Sequence, residues 1–186
     1  MADFKKQAGE CANVAGIRAL VPALEGPFPI VIDLFLLCYV PSPLFHAHWS
    51  IFIPEQANSQ RGTVINVRGD PLNGFVHEFD RGYVPSEDSD RPPLLTKLGS
   101  VKDTIVGPLS SLEPGKDAIA QTELERLALT IPAPGPSLRR SASRDGRVRI
   151  EIRDCQWWVG QFVARMVESE ILDPGALGFL DQAPRH

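Results

Sequence analysis

Cys155 and His48 are the two side chains of this sequence whose type and setting can do covalent chemistry. Cys155 stands near the head of Asp154-Cys155-Gln156-Trp157-Trp158-Val159, which continues apolar at helical spacing to Ile171. His48 opens His48-Trp49-Ser50-Ile51-Phe52-Ile53, an apolar stretch of strand character. A thiol at a helix N-terminus faces unpaired backbone N–H groups and the positive end of the helix dipole, and both favour thiolate. An imidazole on a neighbouring strand can take the thiol proton and return it to a leaving group. If the two meet in space, they form a cysteine nucleophile with its base.

Each candidate has a competing structural role. Trp158, Val159, Phe162, Val163, Met166, Val167 and Ile171 form one apolar stripe, and Cys155 lies in line with it. A cysteine on such a stripe is most often core. Asp154 is the expected N-cap, and Asp173-Pro174-Gly175 supplies a stop. Backbone amides near Cys155 and Gln156 are placed to hold an oxyanion. Trp49, Gln156 and Trp157 are the candidate substrate contacts, with Trp157 on the polar side of the helix wheel. His46 shares a strand face with His48 and is the other candidate base.

A catalytic imidazole needs a polar group on its second nitrogen. Asn66, among Val64, Ile65 and Val67, is polar where the pattern expects apolar residues, and a hairpin can bring it beside His48. Asp70 and His77 are reserves for that role, and an Asn bonding only to backbone is the plainer alternative. Cys38, inside an apolar strand, is structural, and Cys11 has no partner pattern.

The elements that must position these residues follow from periodicity and turn residues. Strands are expected over 30–39, 46–53, 63–67 and 75–79, with another between Leu98 and Val106. Pro41-Ser42-Pro43 forces a turn, 54–62 is a polar hairpin loop, Gly69-Asp70-Pro71 closes the third strand, and 85–93 is an acidic loop. Residues 113–130 read as helical with an interruption at Pro114-Gly115. Residues 1–26 form a weakly patterned lead-in with a short helix around 14–20, and 137–147 a basic, serine-rich loop. A short strand over 148–152 then leads into the Cys155 helix. This order predicts one α+β domain over 1–186, an antiparallel sheet packed against a long C-terminal nucleophile helix.

Composition narrows the function classes. With 43% hydrophobic and 23% charged residues the chain is globular, and 186 residues suffice for one real core. A net charge of -4 argues against nucleic acid or an anionic membrane as main partner. Three cysteines without metal-type spacing argue against a zinc site or a disulfide framework, so no metal and no cofactor is expected. The Pro27–Val40 apolar segment is too short to span a bilayer, and the expected setting is cytoplasmic.

These motifs resemble the lecithin retinol acyltransferase-like branch of the NlpC-type, papain-fold superfamily. The matching residues are HWSIFI at 48–53, VIN at 64–66 and DCQWWV at 154–159. The His-before-Cys order is the reverse of papain's and implies a circularly permuted papain-like fold. By this resemblance Cys155 is the nucleophile, His48 the base and Asn66 the orienting residue. Asn66 stands where that branch has His, Asp154 stands where it has Asn, and no C-terminal membrane helix follows. The chain is also similar to a group of fungal proteins with an HW strand, a GDP-x-x-GF segment (69–75) and a CQ-x-W helix. The implied activity is a cysteine-dependent hydrolase or acyl/amide transferase acting on a small amide, peptide or thioester. The alternatives are an isopeptidase-like protease, a non-hydrolytic enzyme on the same scaffold, and a non-catalytic binding or scaffold module. Oligomeric state has no signature in the sequence.

Overall fold

The computed structural model describes residues 30–40, 46–87, 92–137 and 152–186. Six strands form one sheet in the order β5-β1-β2-β3-β4-β6, every neighbouring pair antiparallel. In chain order they are β1 (Val31–Tyr39), β2 (His48–Pro54), β3 (Gly62–Asp70), β4 (Gly74–Tyr83), β5 (Leu94–Lys102) and β6 (Gly115–Asp117). Four helices accompany them: α1 (Asp103–Val106), α2 (Glu123–Leu129), α3 (Cys155–Glu168) and α4 (Ala176–Gln182). The fold is therefore α+β.

Side-chain alternation divides the sheet into two faces. Leu34, Leu36, Trp49, Ile51, Ile53, Ile65, Val67 and Phe79 join Trp158, Val159, Phe162, Val163 and Met166 of α3 in the main core. Leu37, Phe52 and Val64, with Phe35, Tyr39 and Tyr83 against them, form a smaller cluster on the other face. His48 shares its strand face with Ser50 and Phe52, and hence with the smaller cluster.

Several sequence expectations change in the structure. Residues 113–130 are not one helix: β6 occupies 115–117, with Gly115 at φ +150°, and α2 begins only after Thr122. Thr122 explains that start, because its hydroxyl accepts from the Glu125 N–H at 3.1 Å while the Glu125 carboxylate accepts from the Thr122 N–H, completing a capping box. The fifth strand lies over 94–102, and 103–106 turn helical instead of extending it. Strands β3 and β4 each run longer than expected, taking in Gly69 and Asp70 at one end and Asp80 to Tyr83 at the other.

The long C-terminal helix is also not found. α3 ends at Glu168 because Glu170 takes a left-handed conformation (φ 56°), and the Ile171 and Leu172 N–H groups bond back to the Met166 carbonyl. Asp173-Pro174-Gly175 then separates it from the seven-residue α4. The expected lead-in over 1–26, the Pro41–Pro43 turn and the 137–147 loop lie outside the described residues except for Ser137, as does most of the strand expected over 148–152.

Candidate functional site

The site begins where β2 and β3 part. Their pairing runs from Pro54↔Gly62 to Ile51↔Ile65 and stops. β2 nevertheless continues beside β1 to Tyr39↔His48, and β3 continues beside β4 to Asp70↔Gly74. The first three residues of β2 thus lack a partner on their β3 side, and Cys155 at the head of α3 meets the sheet there. Asp154 caps that helix, its carboxylate accepting from the Trp157 N–H at 3.0 Å.

A cavity of about 430 Å³ opens at this divergence, lined by His46, Ala47, His48, Asp154 and Cys155 together with Gly69, Asp70, Pro71, Phe75 and Ile152. Cys155 and His48 therefore border one space. Among the described residues no hydrogen bond joins them, and only 7% of Cys155 is exposed. Burial is the main influence on the thiol and pushes its pKa up to about 11, with the Asp154 carboxylate acting in the same sense. The backbone N–H groups of Trp49, Gln156 and Cys155 oppose this and favour the thiolate. Burial likewise lowers the pKa of His48, aided by Arg68 and opposed by Glu78 and Asp154. Both groups are consequently neutral at pH 7.

Asn66 lies opposite Ser50 in the extrapolated register and diagonal to His48, on the face away from α3. A second cavity, about 390 Å³, covers this face; its polar lining is His48, Ser50, Asn66, Arg68, Glu78, Asp80 and Lys116 with the Tyr39 and Tyr83 rings. His48 and Gly69 border both cavities. Gly69 has φ +150°, and a Cβ there would lie 2.1 Å from the Gly74 carbonyl oxygen, so only glycine fits between the two spaces.

The reserve residues have hydrogen-bond partners of their own. The Asp70 carboxylate accepts from Leu72 N–H (2.8 Å) and Asn73 N–H (2.9 Å), closing the β3–β4 turn. His77 bonds through Nε2 to the Ile131 carbonyl at 2.9 Å and sits edge-on to Trp158. His46, by contrast, rests beside the start of α3, its Nδ1 3.2 Å from the Asp154 carboxylate.

The three expected substrate contacts lie mostly on the other side of α3. Trp49, Gln156 and Trp157 line a groove of about 580 Å³ between α3 and α4, not the Cys155 cavity. Trp49 is buried and donates from Nε1 to the Pro184 carbonyl at 2.7 Å. Gln156 is a clamp: its Nε2 donates to the Ala47 carbonyl (2.9 Å) and the Arg185 carbonyl (3.0 Å). It ties the start of β2 and the C-terminal segment onto α3. Trp157 is half-buried beneath the Arg153 guanidinium, 4.9 Å from its ring centre.

The chain matches the family of unknown function DUF6540 over residues 34–173. It belongs to that family. The matched span runs from within β1 to just past α3, and so takes in His48, Asn66 and Cys155, while α4 and residues 183–186 fall beyond it. Neither a curated protein nor a solved structure matches the chain. Within this DUF6540 chain no described helix is long and apolar enough to cross a membrane, and no described cluster of His, Cys, Asp or Glu suits a metal ion.

Sequence reasoning missed Ser50, Arg68, Glu78, Asp80 and Lys116 as companions of His48 and Asn66. The available signal was the polar residue at alternate positions of β2, β3 and β4, which marks a second face that is not simply solvated.

Proposed function

We propose that this protein is a cysteine-dependent hydrolase or acyl/amide transferase on a permuted papain-like scaffold, acting on a small amide, peptide or thioester. The observation that carries this reading is the shared cavity at the β2–β3 divergence, where Cys155 and His48 border the same space. In the reaction His48 takes the Cys155 proton as the sulfur bonds to the substrate carbonyl carbon. The carbonyl oxygen gains negative charge, which the backbone N–H groups that favour the thiolate are placed to offset. Collapse breaks the bond to the leaving group, which takes the proton from the imidazolium. Water, or an acceptor amine or alcohol, then attacks the thioester and frees Cys155.

Because both groups rest neutral, the thiolate forms during attack and not before it, as a serine nucleophile does. His48 is the base in this scheme, and Asn66, which lines the outer cavity with it, is the orienting residue that the resemblance implies, although no hydrogen bond joins the two among the described residues. The test is acylation by p-nitrophenyl acetate followed by intact-protein mass measurement. A single acetyl adduct on Cys155, absent in Cys155→Ala and formed at least tenfold more slowly in His48→Ala, is the expected result (~10²–10⁴ for general-base catalysis). No adduct in the wild type, or one insensitive to His48, would overturn the reading.

A non-catalytic binding module is the second reading. It is favoured by the burial that holds the thiol at about 11.

A further inference from the structure

We propose that the cavity on the outer sheet face is a binding site for a free, amino-acid-sized zwitterion carrying a carboxamide. Its floor is made of side chains that the protein leaves unpartnered. Ser50 is 2% exposed and Asn66 6% exposed, neither side chain makes a hydrogen bond among the described residues, and both line the cavity, to which their polar atoms are open. With no protein partner, these donors and acceptors are left to the cavity, where a ligand replaces water on them.

The chemistry of floor and rim selects the occupant. The Asn66 carboxamide offers donors and an acceptor, and the Ser50 hydroxyl offers one of each kind. A ligand carboxamide, itself donor and acceptor, satisfies both at once. The rim carries two cations and two anions in a row: Arg68 with Glu78 at 3.7 Å, and Lys116 with Asp80 at 3.0 Å. That balance selects neither a polyanion nor a polycation. The Arg68–Glu78 contact is long and the Arg68 side chain is 68% exposed, which leaves guanidinium donors for a ligand carboxylate. Glu78 and Asp80 are the matching acceptors for an ammonium group. A volume of about 390 Å³ suits a small molecule, within the ~300–1,000 Å³ usual for such sites.

This proposal deepens the thiol-enzyme reading, because a carboxamide held at Asn66 abuts His48, which also borders the Cys155 cavity. Binding itself, however, needs no chemistry at Cys155. The experiment is therefore calorimetric titration of the full-length Cys155→Ala protein with L-glutamine, and with L-glutamate, glucose and sodium phosphate for comparison. Saturable binding of L-glutamine, about tenfold or more tighter than of the other three, is expected. Asn66→Leu and Arg68→Ala should each weaken it about tenfold or more, and the surface position of Arg68 keeps the test open should the Asn66 variant misfold.

Absence of saturable glutamine binding, equal binding of glucose or phosphate, or binding indifferent to both substitutions would overturn the site. Glutamine binding without an acetyl adduct in the wild type would leave the site standing and remove the catalytic reading. An adduct without glutamine binding would do the reverse.

Discussion

Two buried polar regions of this molecule are built on opposite plans. Around Arg81, β4 is fastened to α2: the guanidinium donates to Glu125 at 3.2 and 3.0 Å, to Asp117 at 2.8 Å and to the Ile119 carbonyl at 2.8 Å. Glu125 also accepts from the Gln121 and Thr122 N–H groups at 2.6 and 3.1 Å. Every strong donor and acceptor is answered within the protein, the condition under which a buried ion pair is tolerated. Around His48, Ser50 and Asn66 the reverse holds, for these side chains border open volume and have no hydrogen-bond partner among the described residues. The first region is a fastening. The second leaves its donors and acceptors to a cavity.

That contrast can be broken by mutation, starting with the largest effect. Glu125→Ala leaves Arg81 charged, buried and short of its main partner, and should cost about 3–5 kcal/mol in urea unfolding. Replacing both partners, as Arg81→Met with Glu125→Leu, should recover only part of that loss: no buried charge is left unpaired, but Asp117, the Ile119 carbonyl and the Gln121 and Thr122 N–H groups lose their partner. An unfolding midpoint unmoved by Glu125→Ala would mean the fastening has been misread.

The next effect in size is alkaline. Burial holds the Cys155 thiol at about 11, above its ordinary value, so the folded protein retains that proton more tightly than the unfolded chain. Its contribution is whole below about pH 9 and is lost as pH rises towards 11, on the order of 2–3 kcal/mol at most. Cys155→Ala should flatten this limb of the stability profile. His48 works on the acid side. Its lowered pKa gives stability that is present above about pH 6.5 and lost as pH falls through the folded value, and His48→Leu should flatten that limb.

Smaller still is Thr122→Ala, which removes the α2 cap and should cost about 1 kcal/mol. Asn66→Leu should change stability least, by roughly 0.5 kcal/mol or less in either direction, because no protein hydrogen bond is lost. A loss above about 2 kcal/mol in Asn66→Leu would place Asn66 with Arg81 as a structural residue.

The sequence made some of this legible and hid the rest for identifiable reasons. The strands carrying His48 and Asn66, and the helix headed by Cys155, were readable because apolar alternation and a 3.6-residue stripe are local signals. The Asp154 cap was readable for the same reason. The Thr122-x-x-Glu125 box was also local, yet Glu113 to Thr130 was read as one broken helix because its charged and apolar residues suit a helix about as well as a strand and turn. The end of α3 was misplaced because Glu170, not a glycine, takes the left-handed position. Gln156 was read as a substrate contact. Its role as a clamp depends on Ala47 and Arg185, 109 and 29 residues away, which no local pattern encodes. The polar outer face escaped notice because its members come from four strands, one or two residues each.

The proposed chemistry requires Cys155 to be a thiol open to a cavity, neutral at rest and able to react without unfolding. The most direct measurement is the rate of iodoacetamide alkylation of Cys155 in the native protein, followed by peptide mass analysis from pH 6 to 11. Labelling under native conditions is expected, at a rate that climbs about tenfold per pH unit before levelling near the thiol pKa of about 11. Labelling that appears only in denaturant, or a rate already level near pH 7, would contradict it.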